Sequence, residues 1–426
     1  MLDLKQVRED PERVRSRLAR RGKPELLEQV DVLLGLDQKR RAVITRVDQA
    51  RARRNEVSPR VGQLKQAGRN EEAEPLILEM RALGDEMEAL EATRAELEET
   101  VRSLLLQLPN LPEEVVPAGD ETHNQIVRTC GAPMEIAEAR PHWELAEQHG
   151  LLDLPRGTKV AGSGFPLFVG QGARLQRALI QMMLDLHTRE HGYTEVLPPF
   201  LVNEQSALGT GHLPKFGEDM YYVPLDGLYL VPTAEVPVTN LHAGELLDGQ
   251  RLPIRYVAYT PCFRREAGSH GKDTRGLLRV HQFDKVELVH FERLEDGPAA
   301  LEALTGHAER VLQLLGLTYR VVRLAGGDLG FGSAHTYDLE VWSPGVQKWL
   351  EVSSCSLYND FQARRANIRY RPEPNARPEF VATLNGSALA LARVFAALLE
   401  TYQDANGTIS LPAPLAPYFG ADRIGA

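Results

Sequence analysis

Residues 261–288 read PCFRREAGSHGKDTRGLLRVHQFDKVEL, and they gather the side chains best suited to chemistry. The spacing predicts two strands around a basic loop. The first is expected to end at Cys262–Glu266, and the second to run from about Leu277 to Leu288. Between them, Ala267–Gly276 holds three glycines, one serine and four ionisable side chains, the composition of an exposed, flexible loop. Side chains alternate faces along a strand. Arg264 and Glu266 would then share one face of the first strand. Arg279, Phe283 and Glu287 would share one face of the second, with Val280, Val286 and Leu288 turned to a core. A face carrying two arginines, two glutamates and an aromatic ring is costly to bury without a ligand. Arginine suits phosphate oxygens through its planar fork. A phenyl face can stack on a purine, and a carboxylate can hold an ammonium or accept from an exocyclic amine. A nucleotide and an amino-carrying substrate together would use all of these groups. An amphipathic hairpin covered by surface ion pairs fits the same pattern.

Three further stretches carry candidate chemistry. In LVPTAEV, Thr233 and Glu235 flank Ala234 and lie two apart, on one side of an extended segment. A hydroxyl and a carboxylate so placed can orient an ammonium and a small polar side chain; the same residues could equally cap a helix. Tyr337–Trp342 and Lys348–Ser354 predict a hairpin turning at Pro344-Gly345. Glu351 and Ser354 differ in strand parity there, so both reach one ligand only if a bulge or turn intervenes near Ser353. Thr383–Arg393 reads TLNGSALALAR. Asn385 or Ser387 is expected to cap a helix burying Leu389, Val394, Leu398 and Leu399. Arg393 would then lie near the helix start, where the dipole also favours anions.

The elements that must position these residues follow in chain order. Met1–Arg21 reads as a short amphipathic helix with Leu4, Val7, Val14 and Leu18 on one side. A heptad series then runs through Leu33, Leu36, Val43, Val47, Ala50, Val57, Val61 and Leu64, with Arg40 and Arg54 filling the gaps. A second runs from Ala73 to Leu108, broken only at Arg94. Joined near Ala67-Gly68-Arg69-Asn70, they predict an antiparallel helical hairpin. Each arm of about 30 residues would be roughly 45 Å long. Arg51, Arg53, Arg54, Arg60 and Lys65 lie toward the tip of the first helix, and acidic residues dominate the second. Those charges favour pairing of the two helices; the cations also suit the phosphates of a long partner. Pro59 falls inside the first helix, where a kink or a lost hydrogen bond is expected. Pro109–Pro112 ends the second helix. Beyond it come a helix at about 173–187, a strand at 193–197, a helix at about 291–315 and a strand at 320–324.

Composition bounds the function. The chain has 426 residues and a formal charge of −10, which argues against indiscriminate nucleic-acid binding but not against a local basic patch. It contains no apolar run long enough to span a membrane, and its charged N-terminus is unlike a signal peptide. Its three cysteines form no disulfide framework and no CxxC pair, so a cytoplasmic location is expected.

FRREAG followed by RGLLRVHQFDKVEL resembles motif 2 of the class II aminoacyl-tRNA synthetases, and most closely the bacterial-type seryl-tRNA synthetase family. EVSSCS followed by FQARR, and TLNGSALALAR as motif 3, match the same family. The helix–strand–proline unit ending at Pro198-Pro199 resembles motif 1, which implies a homodimer. The family usually has an arginine where this chain has Gly164, and glycines at Ala388 and Ala392. The resemblance covers essentially the whole chain. It implies an α+β fold: a mainly antiparallel catalytic sheet flanked by helices, with an N-terminal antiparallel coiled-coil hairpin. Residues 1–110 would be the tRNA-binding helical domain, its arm at about 33–108, and residues 111–426 the catalytic domain.

The resemblance implies that serine attacks ATP to give seryl-adenylate, from which the seryl group passes to tRNA(Ser); tRNA(Sec) is an open second acceptor. Arg264 and Arg393 would be the catalytic cations. ATP would be held by Arg264, Arg265, Glu266, Arg279, Val280, Phe283, Glu351, Val352, Ser353, Ser354 and Arg393, and Mg2+ by Glu351 and Ser354. Thr233, Ala234, Glu235, Glu287, Thr383 and Ser387 would hold L-serine. Arg51, Arg53, Arg54, Arg60, Lys65, Lys272 and Arg275 would meet tRNA. Two rival readings differ. A threonine or proline ligase, or a ligase loading a carrier protein, would lack the long arm and Glu287. A non-catalytic RNA-binding scaffold would have no use for Arg264, Glu266, Glu351 and Arg393 together.

Overall fold

The structure, a computed structural model, describes residues 1–267 and 275–425. The chain forms two compact units, residues 2–19 with 23–108, and residue 1 with 20–22 and 109–426. Among the described residues no helix is long and apolar enough to cross a membrane.

In the helical unit, α1 (Leu4–Glu9) and α2 (Pro11–Ala19) bury Val7, Val14 and Leu18. The sequence pattern predicts a single helix here. Pro11 splits it, because proline has no N–H to continue a helix but suits a first turn. The long pair is α3 (Glu25–Gln66) and α4 (Asn70–Gln107). The expected seam is buried at Leu33, Val47, Ala50 and Val57, and opposite them at Ala73, Leu90 and Val101. α3 runs through Pro59 without interruption. α3 buries one charged residue, Asp37, bonded to Arg8, Arg40 and Arg41 at 3.4, 2.9 and 3.0 Å. Across the pair, Arg46 meets Glu86 at 2.6 Å, Arg53 meets Glu79 at 2.6 Å, and Arg51 meets Glu91. Arg51 and Arg53 thus serve helix pairing. Arg54, Arg60 and Lys65 are exposed and form no ion pair among the described residues.

The second unit is built on one eight-stranded sheet: β1 (Gln125–Cys130), β2 (Thr194–Glu195), β3 (Ile254–Phe263), β4 (Gln282–Glu292), β5 (Tyr319–Arg323), β6 (His335–Ser343), β7 (Lys348–Leu357) and β8 (Ala382–Ala390). The strand order is β1-β5-β6-β7-β8-β4-β3-β2. All pairs are antiparallel except β2 with β3. Five helices support the site: α5 (His142–Gln148), α6 (Gln171–Arg189), α7 (Glu235–Thr239), α8 (Gly297–Leu314) and α9 (Leu391–Thr401). α6, α8 and α9 bury Leu179, Met183, Leu304, Leu312, Val394 and Leu398 in one core with Val286, Leu288 and Val352 of the sheet.

Several boundaries differ from expectation. β3 ends at Phe263 and β4 begins only at Gln282. Past the strand ends the Arg264 N–H still donates to the His281 carbonyl at 2.9 Å, but the His281 N–H donates to the Gly164 carbonyl at 2.8 Å and the Leu277 N–H to His142 at 3.0 Å. The helix expected from Phe291 starts at Gly297, because Phe291 and Glu292 pair with Thr383 and Ala382. Asn385 and Ser387 cap no helix. They lie inside β8, hydrogen-bonded between β7 and β4, and α9 starts at Leu391. A short apolar run buried on both faces reads alike as strand or helix. At Gly164 the backbone is left-handed (φ +80°), and an added Cβ would lie 2.5 Å from the His281 ring. No side chain fits that position without moving His281. Ala388 and Ala392 are buried within the core.

One histidine cluster joins α6, β4 and α8. His187 Nδ1 lies 2.9 Å from His191 Nδ1, and Tyr193 Oη bonds His307 Nδ1 at 2.9 Å and His290 Nε2 at 2.5 Å. Burial holds His187 down to about 3 and His307 to about 4, each further lowered by its histidine neighbours. These rings are neutral when folded and take up protons more readily when unfolded. The stability they contribute is therefore full above the ordinary histidine value and is lost as pH falls below it. At pH 5 His187 alone should cost about 2 kcal/mol. Thermal melts from pH 7.5 to 5 should show a fall in Tm that a His187→Asn variant reduces; a flat profile would contradict this.

Candidate active site

β4 supplies the floor of the site. Its alternation puts Phe283, Lys285 and Glu287 on one face, all lining a cavity of about 530 Å³. Ser387 of β8 lies directly opposite Glu287 in the strand register and lines the same cavity. Thr233 and Glu235 close this end. They sit at the start of α7, where Thr233 Oγ1 accepts the Glu235 N–H at 3.2 Å. The segment is the start of a helix rather than a strand, yet both side chains reach the cavity. Lys285 Nζ donates to Thr233 Oγ1 at 2.8 Å and pairs with Glu287. Gln362 Nε2 donates to Glu235 Oε1 at 2.7 Å. Burial pushes the Glu235 and Glu287 carboxyls up, and the Lys285 ammonium pulls both back toward the ionised form. This end offers two carboxylates, two hydroxyls and one cation in a small polar chamber.

The other end is dominated by arginine. Arg264 follows β3; its Nε donates to the Pro232 carbonyl at 3.3 Å and its guanidinium lies 5.1 Å from the Phe283 ring centroid. Glu266 adopts a left-handed backbone (φ 51°), uncommon for a non-glycine residue, and its carboxylate pairs with Arg279. Arg393, near the start of α9, donates from Nε to the Leu278 carbonyl at 3.1 Å and from a terminal nitrogen to the Glu351 carbonyl at 2.7 Å. On β7 the register slips between its pairings with Leu339 and Glu340, leaving Val352 extra. The expected bulge is present, one residue before Ser353, and it lets Glu351 and Ser354 line one cavity.

The cavity therefore brings together Thr233, Glu235, Arg264, Glu266, Arg279, Val280, Phe283, Glu287, Glu351, Val352, Ser353, Ser354, Ser387 and Arg393. Three expected residues lie elsewhere. Arg265 is exposed, its N–H bonded to the Asp219 carbonyl at 2.9 Å. Ala234 is buried in a core cluster beside β4. Thr383 is buried with its hydroxyl donating to Gln362 at 2.6 Å, so it supports the residue that holds Glu235. Lys272 lies outside the described residues. Arg275 stacks on Trp143, 4.6 Å from the ring centroid.

Sequence reasoning missed Lys285, Asp338, Tyr358 and Asn385, which also line the cavity. Parity alone places Lys285 with Phe283 and Glu287. Asp338 stands opposite Ser354 in the β6–β7 register, and its Oδ1 is buried without a hydrogen-bond partner among the described residues. Burial, with the nearby Glu351 charge, pushes its carboxyl well above the ordinary range. Asp338, Glu351 and Ser354 form a hard-oxygen set of the kind magnesium takes, and the orphaned oxygen gives a cation a reason to be there.

An antiparallel sheet carrying an arginine-lined cavity between β3, β4, β7 and β8 is the core of a class II aminoacyl-tRNA synthetase. The family profile "tRNA synthetase class II core domain (G, H, P, S and T)" matches residues 223–402, and "Seryl-tRNA synthetase N-terminal domain" matches residues 1–112. The serine–tRNA ligase of Carboxydothermus hydrogenoformans is 54% identical over 100% of this chain and 99% of its own. That of Gemmatimonas aurantiaca is 54% identical over 99% of each. A solved seryl-tRNA synthetase from Pyrococcus horikoshii, complexed with ATP, is 37% identical with a TM-score of 0.95, covering 100% of this chain and 99% of that one. The chain belongs to the seryl-tRNA synthetase family and is an ATP-dependent serine–tRNA ligase.

Proposed function

We propose that the cavity holds serine at its Thr233–Glu235–Glu287–Ser387 end and ATP along Arg264, Phe283 and Arg393, so that the serine carboxylate attacks the α-phosphate in line with departing pyrophosphate. The observation that carries this is one continuous cavity with a small chamber of carboxylates and hydroxyls at one end and fixed cations at the other. Negative charge grows on the α-phosphate oxygens in the transition state. Arg264 and Arg393, each held by backbone carbonyls, are pre-aimed to stabilise it without a protein base. Phe283 offers its ring to adenine and Glu266 its carboxylate to the purine edge. Glu287 and Glu235 hold the serine ammonium and hydroxyl, with Lys285 paired to Glu287. Magnesium, held by Glu351 and Ser354 beside Asp338, would neutralise phosphate charge when bound.

The second step passes the seryl group to the terminal ribose of tRNA(Ser). Arg54, Arg60 and Lys65 at the arm tip support this partner, being exposed and uncommitted to ion pairs. Arg51 and Arg53 would contribute only by leaving their glutamates. Arg275 is suited to the acceptor end; charging of tRNA(Sec) follows only if its long arm fits the same reader. The homodimer rests on the motif 1 unit, α6 with β2. The free thiols Cys130, Cys262 and Cys355 suit a reducing cytoplasm.

Replacing Glu287 by Gln tests the serine end. A hydrogen bond to a charged group is worth about 1.5–3 kcal/mol, so KM for serine should rise about 10–100-fold with KM for ATP little changed. An unchanged serine KM would remove Glu287 from the chamber.

A further inference from the structure

His142 and Glu400 are both fully buried in the second unit, far from each other in sequence, and the proposed chemistry does not use either. His142 begins α5, and Glu400 lies near the end of α9, the helix that starts beside Arg393. Glu400 Oε1 accepts the His142 backbone N–H at 2.9 Å and lies 2.7 Å from its Nδ1. Its Oε2 accepts the Gly345 N–H at 2.9 Å and the Ser343 hydroxyl. Burial alone would raise the Glu400 carboxyl, but these donors hold it below its ordinary value. A carboxylate accepting at Nδ1 assigns the ring proton to that nitrogen. Nε2 is then a lone-pair acceptor, and it takes the Leu277 N–H at 3.0 Å.

That bond falls just ahead of the proposed nucleotide residues Arg279, Val280 and Phe283. Two more contacts and one close backbone approach converge there. Arg275 stacks on Trp143, next to His142. Gly276 has a left-handed backbone (φ +68°), and a Cβ on it would come within 2.3 Å of His142 Nε2. The Leu278 carbonyl accepts from Arg393 at 3.1 Å. Residues 277 and 278 are thus clamped on one side by His142 and on the other by Arg393, and α9 carries both Arg393 and the Glu400 that orients the histidine.

We propose that His142, oriented by Glu400, is a positioning residue for ATP: it fixes the shoulder at Gly276–Leu278 and thereby aims Arg279, Phe283 and Arg393 at the nucleotide. A buried histidine that only filled space would need neither a carboxylate on Nδ1 nor a backbone donor on Nε2. The inference rests on the ATP placement proposed above.

The test is steady-state ATP–pyrophosphate exchange, with hydrogen–deuterium exchange of the peptide spanning residues 275–283, on the full-length enzyme. Gly276→Ala leaves the buried pair intact and pushes the shoulder off it, so it keeps the experiment decisive should His142→Ala fail to fold. Both variants should raise KM for ATP at least about tenfold, leave KM for serine within twofold, and speed deuterium uptake at 275–283. His142→Gln, which retains a donor and an acceptor, should recover most of the ATP affinity. An unchanged ATP KM in folded Gly276→Ala would overturn the proposal, as would ATP and serine KM rising together. Arg264→Ala, assayed alongside, separates the two ideas: if it too leaves exchange intact, the ATP placement itself is wrong.

Discussion

Arg264→Ala should slow serine-dependent ATP–pyrophosphate exchange by about 10²–10³-fold, the cost of deleting one preorganised donor at a developing anionic centre. The guanidinium is fixed between the Pro232 carbonyl and the Phe283 ring, so it loses little freedom when ATP arrives. Its removal should change kcat more than the serine KM, because Thr233, Glu235 and Glu287 stay in place. The folded state should tolerate the change, since the lost cation–π contact is worth about 0.5–2 kcal/mol. The measurement is exchange at saturating serine with a thermal melt of the same sample. A folded variant with wild-type exchange would remove Arg264 from the chemistry.

Removing the distal arm should separate the two half-reactions. Replacing residues 48–88 by a short Gly-Ser turn deletes Arg51, Arg53, Arg54, Arg60 and Lys65. It keeps the base of the arm, where Asp37 binds Arg8, Arg40 and Arg41. None of the residues lining the cavity is touched. Exchange with serine and ATP should stay within about twofold, while charging of tRNA(Ser) should fall by more than about 10³-fold, as expected when several phosphate contacts are lost together. The residual charging should be less salt-sensitive than that of the intact enzyme. Charging that persists undiminished would show that the arm does not read tRNA.

What could be read from the sequence depended on how local the determinants are. The hairpin arm is a local pattern, and its heptads predicted the buried seam at Val47, Ala50, Val57, Leu90 and Val101. The bulge on β7 was legible for a similar reason: parity forbids Glu351 and Ser354 from facing one ligand on a regular strand. Parity could also have found Lys285, two residues from both Phe283 and Glu287. Other features were not local. Asn385 and Ser387 looked like helix caps because only the neighbouring β7 and β4 make that segment a strand. Asp338 belongs to the site through its pairing with Ser354 across a hairpin. The His142–Glu400 pair joins residues 258 apart in sequence, and nothing near either residue announces the other. The backbone of 264–266 departs from a strand because Glu266 turns left-handed toward Arg279, a conformation that its residue type disfavours.

Serine activation without tRNA is the most direct test, measured as ATP–pyrophosphate exchange with each amino acid offered separately. Exchange with serine, at least about 10⁴-fold above alanine because a chamber built to bond the hydroxyl is left unpaired without it, is the expected result. Exchange driven by another amino acid, or by none in a folded protein, would contradict the assignment of Thr233, Glu235 and Glu287 to serine.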